Sequence, residues 1–139
     1  MSVRPRVFNY GVSLDEGWVA TSDRGGDPLP SDEDMWTPDH LVLAGLVRCT
    51  LKSFRYHARR AGYEPVTRGS VTGVVTRREE DERFALVEAR VDLDVTFDPL
   101  PAPDEVGALI AKGERDCFVG ASLTVEPDYH WTVNGEDLP

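Results

Sequence analysis

A run of nine residues, 41–49, is apolar apart from Arg48 and contains one of the two cysteines of the chain. The Thr-Pro step at 37–38 supplies an N-cap followed by a first-turn proline, which is a strong helix start. Gly62 supplies a stop, so the sequence predicts a helix over 37–61. Because the first half of this helix is apolar on every side, it is expected to be buried all round.

The rest of the chain predicts five strands and one further helix. The clearest strand ends at Phe97, and its apolar and polar residues alternate. Its inward face is expected to hold Ala85, Val87, Ala89, Val91, Leu93, Val95 and Phe97. The strands are expected at 6–12, 17–21, 70–77, 83–97 and 123–133, and the second helix near Asp104, with Val106, Leu109 and Ile110 as its apolar stripe. Residues 22–36, rich in Asp, Gly, Pro and Ser, predict a mobile loop. These elements indicate a single α+β domain over 1–139.

The apolar helix also bears on the assembly state. The predicted strands and one short helix cover all its sides poorly, whereas a second copy of the chain would complete the cover. We therefore expect a homodimer. The alternative is that the two groups of strands wrap the helix fully within one chain.

Charge and composition exclude several classes of protein. The formal net charge of −10 disfavours nucleic acid and anionic membrane surfaces as partners. The sequence shows neither a bilayer-spanning run nor a signal-peptide core, so a cytoplasmic location is expected. The three histidines lack the spacing of metal ligands, and no metal site is predicted. In a reducing compartment, Cys49 and Cys117 are free thiols or form a transient disulfide.

Two segments resemble the OsmC/Ohr family of thiol-dependent peroxidases. Residues 38–49 read Pro-Asp-His-Leu-Val-Leu-Ala-Gly-Leu-Val-Arg-Cys, similar to the family pattern of proline, an acidic residue, an apolar run and cysteine. Residues 117–123 read Cys-Phe-Val-Gly-Ala-Ser-Leu, similar to the second-cysteine motif of the family. The resemblance extends from about Trp36 to the end of the chain.

The resemblance implies an OsmC-like fold, with antiparallel sheets around a long buried central helix in an intertwined homodimer. It also implies reduction of organic hydroperoxides, with an external dithiol as reductant and neither metal nor organic cofactor. Cys49 is then the peroxidatic thiol and Cys117 the resolving thiol. Asp39 corresponds to the acidic residue of the family, and Arg24 is the best-placed candidate for its arginine.

The sequence departs from the family pattern at three positions. Asp39 stands where glutamate is more common, which shortens the side chain by one methylene group. Arg48 precedes Cys49 where a small residue is usual, and Phe118 follows Cys117 where proline is common. These departures are compatible with a branch of altered substrate preference or reduced activity.

The peroxidatic role sets an electrostatic requirement. Burial in an apolar helix raises the pKa of a thiol, and the helix dipole does not reach a mid-helix residue. A cation is therefore needed near Cys49, from Arg24 or from Lys52, three residues on. Asp39 lies about 15 Å along the helix from Cys49, so it acts through an arginine or across a dimer interface. Otherwise it is simply a favourable first-turn acid.

Aromatic residues suggest a pocket for an apolar molecule. Trp36, Phe54 and Phe118 are candidates to bind an organic hydroperoxide. The same residues are compatible with a catalytically weak or inactive member that binds an apolar small molecule at the dimer interface. Ordinary core packing is the third interpretation of these side chains.

Overall fold

A computed structural model of the chain describes residues 9, 12–16, 19–29 and 36–139, in two compact units, 1–38 and 39–139. In the first unit, β1 (Val12–Leu14) and β2 (Ala20–Ser22) pair antiparallel. The strands predicted at 6–12 and 17–21 fall partly outside the described residues. Among the described residues, β1 shares only Val12 with the predicted strand 6–12, and β2 shares Ala20 and Thr21 with the predicted strand 17–21.

The remaining elements include the long helix expected from the sequence. α1 begins one residue after the predicted start and ends one residue before the predicted end, and Gly62 follows it with a φ of 92°. A positive φ suits glycine, which has no Cβ to clash. The elements are α1 (Pro38–Arg60), β3 (Val66–Arg77), β4 (Phe84–Thr96), α2 (Pro103–Arg115), α3 (Phe118–Ser122), β5 (Asp128–Val133) and β6 (Glu136–Asp137).

The second unit contains a four-stranded sheet in the order β3-β4-β5-β6. The β3–β4 and β5–β6 pairs are antiparallel, but β4 and β5 are parallel. The expectation of wholly antiparallel sheets is therefore wrong. A parallel pair needs a crossover between its strands, and α2 and α3 provide it.

The last predicted strand, 123–133, is shorter than expected. Strand pairing with β4 begins only at Asp128. The segment just before the predicted start forms the short helix α3, which the sequence did not predict. Its five residues are too few to show a helical period.

A bulge changes which side of β4 faces the core. The predicted inward residues from Ala89 to Phe97 are buried. Nearer the β3–β4 turn, Val74 pairs with Glu88 and Val75 with Leu86, so the pairing register skips one residue. Leu86 packs against the core there, instead of the predicted Ala85 and Val87. An extra residue shifts the two-residue alternation by one, which explains the reversal.

The core lies between the sheet and the helices. Its α1 members include Leu46 and Phe54, both fully buried, and the predicted α2 stripe is buried as well. Leu41 and Val42 on α1 are 40% and 43% exposed. Burial of this helix on every side, as the sequence predicted, is thus not found in the single chain.

Two glycines on α2 give a matched test of how closely the helices pack. A Cβ added at Gly113 would lie 3.0 Å from Cβ and 3.1 Å from Cα of Phe54, atoms that move only with the α1 backbone. A Cβ at Gly107 would meet nothing within 4 Å. We expect Gly113→Ala to destabilise the protein by about 1–2 kcal/mol through overpacking.

Gly107→Ala serves as the control, since it is expected to stabilise the protein by about 0.5–1 kcal/mol through helix propensity. Urea unfolding of both variants measures the two free energies of unfolding. Equal shifts in the same direction would contradict close packing of α2 on α1.

Candidate functional site

The two cysteines lie together in the second unit. Cys49 is in α1 and is half-buried, whereas Cys117 is fully buried in the connection between α2 and α3. Both are free thiols, and the Cys117 side chain is near enough to act on the pKa of Cys49. The structure therefore brings together two residues that are 68 positions apart in the sequence.

The surroundings of Cys49 act on its ionisation in both directions. Burial is the largest influence and raises the pKa of the thiol, and the Cys117 side chain raises it further. The backbone groups of Val119 and Phe118 lower it by hydrogen bonding to the sulfur, but the net result is a raised pKa. None of these influences, which come from the described part of the chain, is a cation.

Thr50, next to Cys49 in α1, is a functional candidate that the sequence interpretation missed. It is fully buried, and its hydroxyl donates to the Leu46 carbonyl at 2.9 Å and lies 3.3 Å from Cys117 Sγ, a second possible acceptor. A threonine inside an apolar helix usually bonds back to the carbonyl four residues earlier, as here. Its position beside a cysteine was the only available sequence signal.

Tyr129 on β5 was also missed as a site residue. A Cβ added at Gly120 would lie 2.7 Å from the Tyr129 hydroxyl and 3.7 Å from Cys117 Sγ, so both groups border the same point of α3. Burial, followed by the nearby Cys117, raises the pKa of Tyr129 to about 12. The phenol is therefore protonated at neutral pH and available as a donor.

Asp116 holds the connection that carries Cys117 against α1. Asp116 Oδ2 lies 2.7 Å from Nε2 of His57 on α1, and Asp116 Oδ1 accepts from Arg115 Nε at 2.9 Å. Arg115 and then His57 hold the pKa of Asp116 well below its usual range. The residue before Cys117 is thus tied to the helix that carries Cys49.

The polar residues predicted for the site are not all near the cysteines. Asp39 is exposed in the first turn of α1, about 15 Å along the axis from Cys49. Arg24 lies in the turn after β2, where its backbone N–H donates to the Ser22 hydroxyl at 3.0 Å. Arg24 belongs to the first unit, whereas Cys49 belongs to the second.

Lys52, the other candidate cation, is exposed on α1. It lines an open groove of about 610 Å³ together with Arg48, Arg55 and residues of β3. Lys52 is not among the groups that shift the pKa of Cys49.

The three predicted substrate-binding aromatics differ in exposure. Trp36 in the first unit is 46% exposed, and Phe118, which follows Cys117, is 71% exposed. Phe54 is fully buried, with its ring centroid 5.9 Å from that of Phe97 and 5.0 Å from that of Trp131. The assignment of Phe54 to substrate binding is corrected to core packing, because its ring contacts other core rings.

Two further features bear on the class of site. Within the described residues, no three histidine, cysteine or acidic side chains are grouped as metal ligands. No helix in those parts of the chain combines the length and apolar character needed to cross a bilayer.

Comparisons with known proteins agree on one family. A family model described as OsmC-like protein matches residues 31–131, which include both cysteines. No curated protein sequence is significantly similar to the chain.

Solved structures of other proteins share its fold at low identity. An OsmC-like protein from Mycoplasma pneumoniae matches with a TM-score of 0.72 and 18% identity, over 94% of this chain and 99% of its own. An organic hydroperoxide resistance protein from Elizabethkingia anophelis matches with a TM-score of 0.68 and 17% identity, over 94% of this chain and 100% of its own. An OsmC-like protein of unknown function from Vibrio cholerae matches with 0.71 and 15%, over 83% of each chain. With the family model covering most of its length, this chain belongs to the OsmC-like protein family.

Proposed function

We propose that the protein is a thiol-dependent peroxidase that reduces organic hydroperoxides, including lipid hydroperoxides. The observation that carries the proposal is the proximity of a half-buried Cys49 to a fully buried Cys117. Membership of the OsmC-like family supports it, as does the likeness to a protein named for organic hydroperoxide resistance.

The difference in burial supports different roles for the two thiols. Cys49 is accessible enough to meet a peroxide, whereas Cys117 is closed off from solvent. The Cys49 thiolate attacks the terminal peroxide oxygen, the O–O bond breaks, and the alcohol leaves after taking a proton. Cys49 is then a sulfenic acid.

Disulfide formation and its reduction complete the cycle. The Cys117 sulfur attacks the Cys49 sulfenic acid, an S–S bond forms, the S–O bond breaks, and water leaves with the Cys117 proton. An external dithiol then reduces the disulfide by thiol–disulfide exchange. A cytoplasmic location suits this step, because dithiol reductants are maintained there.

The raised pKa of Cys49 leaves little thiolate at neutral pH, so the proposal needs a cation. We assign this role to Arg24, with Asp39 as the carboxylate that orients its guanidinium group. Lys52, three residues after Cys49, is the alternative. Charge–charge attraction within about 4–6 Å lowers the pKa of a thiol by favouring the thiolate.

A homodimer is part of the proposal. Leu41 and Val42 leave an apolar strip of α1 exposed in the single chain, and Phe118 beside Cys117 is exposed as well. A second copy packed on this strip would bury it. Trp36 and Phe118 would then contribute to an apolar pocket for the organic part of the peroxide.

A second candidate function is an OsmC-like protein with weak or no turnover that binds an apolar small molecule at the dimer interface. The raised pKa of Cys49 favours it, because a thiol that stays protonated reacts slowly with peroxides. The replacement of proline by Phe118 adds apolar surface beside the cysteines.

The two functions differ in the fate of the thiols. Adding one equivalent of an organic hydroperoxide to the reduced protein is expected to consume both thiols, as measured by thiol titration. With excess dithiol, peroxide should be consumed in repeated turnovers. An unchanged thiol content after peroxide treatment would exclude the peroxidase and favour the binding protein.

A further inference from the structure

Two hydroxyl side chains, one fully buried and one half-buried, lie beside the buried Cys117. They belong to Thr50 from α1 and Tyr129 from β5, which meet the sulfur where α3 begins. Neither hydroxyl has a part in the peroxide chemistry at Cys49. Polar side chains are costly to bury unless they are hydrogen-bonded, so a polar cluster here requires an explanation.

The Thr50 hydroxyl has one proton and three acceptors within range, one of which is the phenol oxygen of Tyr129. The Leu46 carbonyl lies at 2.9 Å and Cys117 Sγ at 3.3 Å. A neutral thiol is a weak acceptor, so the carbonyl is favoured over the sulfur in the resting protein. A sulfur that becomes negatively charged is a much stronger acceptor, and the same proton can then turn towards it.

Tyr129 adds a second hydroxyl next to the same sulfur. It interacts with both Thr50 and Cys117. The missing side chain of Gly120 makes room for it, since a Cβ there would lie only 2.7 Å from the phenol oxygen. The site therefore holds two hydroxyl groups, from two different elements, next to one buried sulfur.

We propose that Thr50 and Tyr129 promote the attack of Cys117 on oxidised Cys49, by donating hydrogen bonds to the Cys117 sulfur as it loses its proton. This inference rests on the proposed function, in which Cys117 is the resolving thiol. In the step itself, Cys117 is oxidised and Cys49 is reduced. The Cys117 proton leaves with the oxygen of the Cys49 sulfenic acid as water.

The first test times the two steps separately. After a single addition of organic hydroperoxide, mass spectrometry follows Cys49 sulfenic acid, trapped by a 1,3-diketone, and the disulfide. Thr50→Val is expected to slow disulfide formation about tenfold, the effect of losing a hydrogen bond to a charged group, and Tyr129→Phe about three- to tenfold. The rate of the first oxidation should stay within about twofold in both variants.

Three further variants separate this role from a structural one. Thr50→Ser retains the hydroxyl and is expected to restore the second step to within about threefold of the unsubstituted protein. Thr132→Val and Tyr63→Phe remove hydroxyls bonded to Asp137 and Glu105, away from the cysteines, and should leave both steps unchanged. Slowing by Thr50→Ser equal to that by Thr50→Val would overturn the proposal.

The second test does not depend on peroxide. Glutathione disulfide is used to form a mixed disulfide on Cys49, and the release of glutathione as Cys117 attacks is timed. The proposal expects Thr50→Val and Tyr129→Phe to slow this release by similar factors. Release at the unsubstituted rate in both variants would overturn it. If release is slowed but peroxide leaves both thiols intact, the peroxidase proposal fails while the role of the hydroxyls stands.

Discussion

Cys49→Ser is expected to abolish peroxide consumption, with a loss of about a thousandfold or more, because the nucleophile itself is removed. A serine hydroxyl in the same position does not ionise near neutral pH and does not attack an O–O bond at a useful rate. Cys117→Ser has a different expected result. The first oxidation should proceed at nearly the original rate, and Cys49 should stop at the sulfenic acid or proceed to the sulfinic acid.

Rapid mixing with one equivalent of organic hydroperoxide, followed by mass spectrometry of the intact protein, distinguishes these products. The Cys49→Ser protein should remain unmodified, whereas the Cys117→Ser protein should gain one oxygen atom without forming a disulfide. Each variant serves as the control for the other, since both replace a sulfur atom by oxygen. Oxidation of Cys117 in the Cys49→Ser protein at the rate of the unsubstituted chain would reverse the assigned roles.

The elements of the fold with strong local signals were predicted well from the sequence. The start and end of α1 were each predicted to within one residue, because Thr37, Pro38 and Gly62 act through the backbone next to them. The stripe on α2 was predicted because its period of 3.6 residues is visible in the chain. Local chemistry is sufficient for such features.

Features that depend on pairing between distant segments were not predicted. The parallel alignment of β5 with β4 follows from the crossover through α2 and α3, not from the composition of β5. The bulge that brings Leu86 inward in place of Val87 depends on the register with β3. No residue near Val87 signals the change.

The same division applies to the site. Cys49 and Cys117 were paired through family resemblance, and in the structure Cys117 is near enough to influence the pKa of Cys49. Thr50 and Tyr129 were missed because their connection to Cys117 exists only after α1, α3 and β5 have packed. Phe54 was assigned to substrate because its aromatic character does not reveal whether it faces a pocket or the core.

The cation near Cys49 is tested by Arg24→Ala. If Arg24 stabilises the thiolate, its loss should slow the first oxidation about 10- to 100-fold at pH 7, since a neighbouring charge shifts a pKa by about 1–3 units. The remaining surroundings raise the pKa of Cys49, and only the thiolate reacts. The rate of the variant should therefore rise about tenfold per pH unit and approach that of the unsubstituted protein in alkaline solution.

Two other variants locate the charge. Lys52→Ala should leave the pH profile of the first oxidation unchanged if Arg24 is the cation. If Lys52 is the cation, the same variant should move that profile to higher pH. Arg59→Ala, which removes an exposed charge of α1 paired with Glu64, is the matched control and should have no effect on the first oxidation. Superimposable profiles for all four proteins would show that neither side chain activates Cys49. In that case neither Arg24 nor Lys52 offsets the rise in the pKa of Cys49 that burial causes. This result would favour the binding protein over the peroxidase.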